Sequence, residues 1–159
     1  MPAYRIGLRQ AATAVFVSTA AMGACHARHA TAYVPRTRAV TITTVPLLVK
    51  EQQRIFPFLA RDFAAGGVLS GKEVYAFVPS TLVVYEGDTL RLTFVNPEDD
   101  EHSFVLPDLF VRIRGQSTTD ATWIARRAGM YEFTCSIPSH LPMMSGQLVV
   151  LPPPPGAER

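Results

Sequence analysis

The stretch YEFTCSIPSHLPMMSGQLVV, Tyr131 to Val150, decides the fold. Met130 to Cys135 reads as a strand that delivers Cys135 at its end. A tight loop with Pro138, Ser139 and Pro142 follows, carrying His140, Met143 and Met144. A second strand, Gln147 to Leu151, leaves through Gly146. A thiolate, an imidazole and a thioether therefore share one loop between two strands. Soft sulfur donors combined with imidazole select copper over the harder divalent ions. Two histidines and one cysteine in a trigonal set, with a weak axial methionine, form a mononuclear copper arrangement.

That arrangement needs a second histidine. The four histidines are His26, His29, His102 and His140, and the first two lie in the leader. His102 is thus the candidate by elimination, opening the strand His102 to Leu106. The expected metal residues are His102, Cys135 and His140 with a methionine, Met144 or Met143. A zinc site built from Cys135, His102, His140 and an acid is the chemical alternative.

Outward from the loop, the chain is a series of short strands. Ala39 to Val45 is rich in β-branched residues. Glu73 to Val78, Thr81 to Tyr85, Leu90 to Val95 and Ala121 to Ala125 follow, with Gly, Pro and Asp turns between them. Leu90 to Val95 alternates apolar with polar, as a half-buried strand does. The pattern indicates an all-β antiparallel sandwich or barrel. One helix interrupts it. Phe56, Leu59, Ala60 and Phe63 recur at helical spacing, Pro57 suits a first turn and Gly66-Gly67 a stop. A short helix is expected at Pro57 to Ala65, with Phe56, Leu59 and Phe63 in the core.

The 159 residues suffice for one domain with a real core, and 48% apolar content argues against disorder. Residues 1–24 have the build of a signal peptide: Arg5 and Arg9, then an apolar run from Ala11 to Ala24. Ala21-Met22-Gly23-Ala24-Cys25 also resembles a bacterial lipoprotein signal, in which Cys25 would carry lipid. An ordinary cut near Gly23 or Ala27 is the rival. Cleavage before Cys25 removes two arginines and no acid, so the formal charge of +2 falls to zero. No nucleic-acid partner is expected. Residues 25–39 read as a flexible linker, 40–151 as the domain, and 152–159 as a Pro-rich tail. Export implies an oxidising compartment, where Cys135 needs a metal or a disulfide to Cys25. The acidic run Glu98 to Glu101 reads as a solvated turn or a docking patch for a basic partner.

With these residues in place, the sequence resembles the cupredoxin family over about Lys72 to Leu151. Tyr131, Phe133, Cys135, Pro138, His140, Met144 and Gly146 fall on its pattern. So do Gly87-Asp88, Asn96 and His102-Ser103-Phe104 upstream, and the turns Gly115 to Thr119 and Gly129 with Tyr131. The resemblance implies a Greek-key β-sandwich, here with a short N-terminal helix insertion. It implies one mononuclear type 1 copper and one-electron transfer. It favours Met144 over Met143, because the family's glycine follows two positions later, and it points to His140 as the route for electrons. Ser139 stands where many relatives have glycine, and the loop from His140 to Met144 is one residue short. The role of Thr41 to Gly71 is left open.

The expectation is a periplasmic copper-binding electron carrier, free or lipid-anchored through Cys25. It would act as a monomer on redox partner proteins and would not be an enzyme. The chain has no His-x-His pair of the kind multicopper sites need, and no G-x-S-x-G elbow. The alternative is a copper carrier or chaperone with the same fold, suggested by the paired methionines.

Overall fold

The computed structural model describes residues 33–154. The expected signal peptide, Cys25, His26 and His29 and the end of the Pro-rich tail lie outside the described residues. Nine strands appear in chain order: β1 (Thr37–Leu48), β2 (Val74–Val78), β3 (Thr81–Tyr85), β4 (Thr89–Asn96), β5 (His102–Leu106), β6 (Leu109–Ile113), β7 (Ser117–Ile124), β8 (Gly129–Thr134) and β9 (Ser145–Leu151). A 3-10 turn (Lys50–Arg54) and one short helix, α1 (Leu59–Phe63), lie between β1 and β2.

The strands form two facing sheets, ordered β2-β1-β4-β7 and β3-β9-β8-β5-β6. From β6 the chain crosses to β7 in the opposite sheet, then returns as β8 beside β5. This long return is the Greek-key connection. Side chains alternate across each strand. In β4, Leu90, Leu92, Phe94 and Asn96 point inward; in β2, Tyr75 and Phe77 do so. Inward residues of β5 and β8 complete the core.

Four phenylalanines occupy its centre. Phe104 lies 4.8 Å from both Phe94 and Phe133 between ring centroids, and 5.5 Å from Phe77. All four are fully buried. Burying each such ring contributes about 1.5–3 kcal/mol. The period of two then fixes what lies above them. Cys135 follows Phe133 on the same face of the chain, and His102 precedes Phe104 on the same face. The sequence thus continues the apolar core directly into the polar cluster.

Several expectations change. The sandwich is mixed rather than purely antiparallel, since β1 runs parallel to β4 and β3 parallel to β9. Alternating burial looks the same in either direction, so periodicity carries no information on this. β6 was not foreseen, and β1 begins at Thr37, ahead of the expected strand start at Ala39. The helix is shorter than Pro57 to Ala65, and of its expected core residues only Leu59 is buried. Phe56 is 46% exposed and Phe63 half-buried. Helical spacing alone overstates burial here, because five residues make little more than one turn. Among the described residues no helix is long and apolar enough to cross a membrane.

The acidic run is a loop with Asp99 and Asp100 exposed, held in place by side-chain and backbone contacts. Buried Asn96 donates from Nδ2 to Asp100 O (2.6 Å) and Arg114 O (3.1 Å). Its Oδ1 accepts from Thr44 Oγ1 (2.7 Å) and the Glu98 N–H (3.2 Å). Gly115 has no room for a Cβ, which would sit 2.1 Å from Asp99 O. Glu101 pairs with Arg112.

Candidate metal centre

The end of β8 and the start of β5 bring three donors together. His102, Cys135 and His140 each offer one atom, and these atoms lie within 4.8 Å of one another. The Nδ1 atoms of the two histidines are 3.2 Å apart, and Cys135 Sγ is 3.6 Å from His140 Nδ1. His102 and Cys135 are fully buried, and His140 is 3% exposed. Among the described residues no carboxylate joins this group.

The loop from Ser136 to Met144 is closed by its own backbone. The His140 N–H donates to Ile137 O (3.0 Å), Met144 N–H to His140 O (3.1 Å) and Cys135 N–H to Met144 O (2.9 Å). The segment between β1 and β2 buttresses it. Lys72 Nζ donates to Pro138 O (2.8 Å), and the Glu73 N–H donates to Ser139 O (3.0 Å). The two residues that directly follow the segment left open, Thr41 to Gly71, therefore pack against the loop that carries His140. Gly146 is required where the loop rejoins the sheet. A Cβ there would lie 2.4 Å from the Phe133 ring and 2.5 Å from Ser80 O.

Of the two methionines, Met144 is fully buried within the core cluster and Met143 is 61% exposed. Cys135 is a free thiol. The Ser103 N–H donates to its Sγ at 3.4 Å, and Ser103 Oγ lies 3.7 Å away. Burial pushes the thiol upward. Hydrogen bonds with His140, Ser103 and Ile137 outweigh that, so its pKa is lowered overall. Burial lowers His102, against the weaker pull of Asp100 and Glu98. Both shifts favour the deprotonated donors a metal requires. Nε2 of His102 is buried with no hydrogen-bond partner, a cost of about 1–3 kcal/mol that the rings beneath offset.

Sequence reasoning missed Tyr75. Its ring lies 4.6 Å from that of His102 and 4.7 Å from that of His140. Its hydroxyl donates to Asp100 Oδ2. Burial, then the bond to Asp100, pushes the phenol strongly upward, which keeps it a donor. In the sequence Tyr75 shows only as one apolar position in an alternating strand. His140, which the resemblance marks as the route for electrons, is almost fully buried, with the Tyr75 ring packed against it.

Soft sulfur and two facing imidazole nitrogens in a buried cluster make a donor set suited to copper. Comparison with known proteins agrees with the fold. Over 97 residues the chain is 31% identical to the copper-resistant cuproprotein CopI of Rubrivivax gelatinosus, covering 46% of this chain. It spans 59% of that relative's length. Copper nitrite reductase from Nitrosomonas europaea matches with a TM-score of 0.51 at 22% identity, over 73% of this chain and 42% of that one. Auracyanin A, a blue copper protein from Chloroflexus aurantiacus, gives a TM-score of 0.47 at 18% identity, over 72% and 99%. Residues 70–150 match the model of the cupredoxin-like domain. This chain, with its two-sheet sandwich and its His-Cys-His cluster at one end, belongs to the cupredoxin-like domain family.

Proposed function

We propose that His102, Cys135 and His140 hold one copper ion, with Met144 as the fourth, weaker donor, and that the chain is an exported electron-transfer protein. The observation that carries this reading is the convergence of two Nδ1 atoms and one thiol sulfur in a buried pocket. Bound there, copper would supply a one-electron couple between Cu(I) and Cu(II). The chain's own residues supply the rest. The Ser103 N–H stabilises charge on Cys135 Sγ, and the closed loop fixes His140 relative to Cys135. The apolar core excludes water, and a rigid cage of this kind limits reorganisation between oxidation states. No residue is assigned a catalytic role. The partners in this reading are redox proteins outside the cytoplasm, met by a monomer.

The test is a visible and EPR spectrum of the Cu(II)-loaded protein. A strong thiolate-to-copper absorption is expected, lost in Cys135→Ser. A colourless wild-type complex, or colour that survives that substitution, rejects the reading.

A second reading, a copper carrier, is favoured by exposed Met143 beside buried Met144 and by the copper-resistance relative. It expects Cu(I) to pass to an acceptor such as a second copper-binding protein. Reversible redox cycling with no such transfer counts against it.

A further inference from the structure

Three rings pack on one another above the phenylalanine core: Tyr75, His102 and His140. The two histidine centroids are 4.9 Å apart, and Tyr75 is 4.6 and 4.7 Å from them. Tyr75 comes from β2, His102 from β5 and His140 from the loop after β8, so the contact joins both sheets. Tyr75 is 2% exposed. Its hydroxyl is fixed by Asp100, two residues before His102. The carbonyl of Asp100 is in turn held by Asn96 Nδ2, and Asn96 Oδ1 accepts from Thr44 of β1. A chain of hydrogen bonds, buried at Thr44 and Asn96 and reaching the surface at Asp100, therefore runs from β1 to the Tyr75 hydroxyl.

Among the described residues neither histidine has a carboxylate or carbonyl partner to orient it. Nε2 of His102 has no hydrogen bond. Beyond the strand and loop that carry them and the contacts among Cys135 Sγ and the two Nδ1 atoms, these imidazoles pack against the tyrosine ring. Metal-binding histidines are ordinarily oriented by a hydrogen bond on the second nitrogen, and loss of such support costs about 10–100-fold in metal affinity. Here an aromatic ring packs against both imidazoles.

We propose that Tyr75, anchored by Asp100, is a positioning residue that sets the orientation of both His102 and His140 and covers His140 from water. The proposal rests on the metal site of the preceding section. Tyr75 is not a donor to the metal. It acts through the two imidazoles, and the geometry assigns it one role toward both.

The experiment compares the full chain with Tyr75→Leu and Tyr75→Phe, each loaded with Cu(II). Copper affinity, the visible and EPR spectra and the reduction potential are read, with circular dichroism of the metal-free proteins to verify folding. Tyr75→Leu is expected to lose about 10–100-fold in affinity, with altered spectra. Tyr75→Phe keeps the ring, loses only the bond to Asp100, and is expected to recover most of that loss. A Leu variant with wild-type affinity, spectra and potential overturns the proposal. So does a Phe variant as impaired as Leu. If Tyr75→Leu does not fold, the Phe variant and proton NOEs decide. Metal-free wild type is expected to show NOEs from the Tyr75 ring to both histidine rings, and their absence overturns the placement. A wild-type protein without a thiolate-to-copper band instead rejects the metal site itself, which separates the two failures.

Discussion

The backbone N–H of Ser103 donates to Cys135 Sγ at 3.4 Å, and the Ser103 hydroxyl accepts from the Ser136 N–H at 2.8 Å. One residue thus serves both the sulfur and the backbone that follows it. Ser103→Ala keeps the first bond and removes the second, leaving a part-buried donor unpaired. The expected cost is about 1–3 kcal/mol, read from urea unfolding of the metal-free protein. The copper-loaded variant keeps its thiolate absorption, because the backbone donor remains. An unchanged unfolding midpoint would show that the hydroxyl is not holding the loop.

The methionines separate by burial. Met144→Ala opens a cavity in the core and is expected to cost about 2–5 kcal/mol, whereas Met144→Leu conserves volume and costs under about 1.5 kcal/mol. Met143→Leu, at an exposed position, stays within about 0.5 kcal/mol of wild type. With copper bound, Met144→Leu shifts the reduction potential and Met143→Leu leaves it in place. The opposite pattern would move the fourth donor to Met143.

Asp88 gives the fold a pH dependence remote from the metal cluster. Its carboxylate is fully buried and accepts from Tyr33 Oη (2.5 Å), the Arg36 N–H (2.7 Å), Arg38 Nε (3.0 Å) and the Tyr85 N–H (3.2 Å). Burial pushes its pKa up, and these bonds more than reverse that, so the folded value is lowered. The stabilisation is therefore fully present above the unfolded value near 3.9, and it is lost as pH falls through the lower folded value. Asp88→Asn is expected to cost on the order of 2 kcal/mol at neutral pH. The gap to wild type should narrow when denaturation is repeated at acid pH. A gap that widens there would reverse the assigned sign.

Gly146 tests packing rather than conformation. Its φ is not positive, yet a Cβ would strike the Phe133 ring and Ser80 O. Gly146→Ala should cost about 1–3 kcal/mol as overpacking, seen as a lower melting temperature of the metal-free protein. Phe133→Leu in the same chain should recover part of that loss by making room. Independent, additive effects would count against the contact.

Much of the cluster was legible because residue counts constrain it. Few histidines and cysteines exist, and the loop spacing places Cys135 and His140 together. His102 followed by elimination, and the structure does bring it to the other two. Spacing could not separate Met143 from Met144, because adjacent residues differ only in which way they face, and packing decides that. Strand positions were readable from period-two burial, but pairing direction was not, so the parallel partners of β1 and β3 went unseen. β6 escaped because its five residues follow Asp108 with little break from β5. Tyr75 was invisible as a site residue. Its position marks it only as core, and its contacts to both histidines depend on strands distant in sequence.

The Asp88 node also determines where the chain enters. Tyr33, Arg36 and Arg38 are tied to the start of β4, whereas Asn96 and the loop to His102 lie at its other end. Eight strand residues span about 25 Å. Residues 33–38 thus lie at the pole opposite Cys135. The first described residues and the His-Cys-His cluster are therefore separated by about the length of β4.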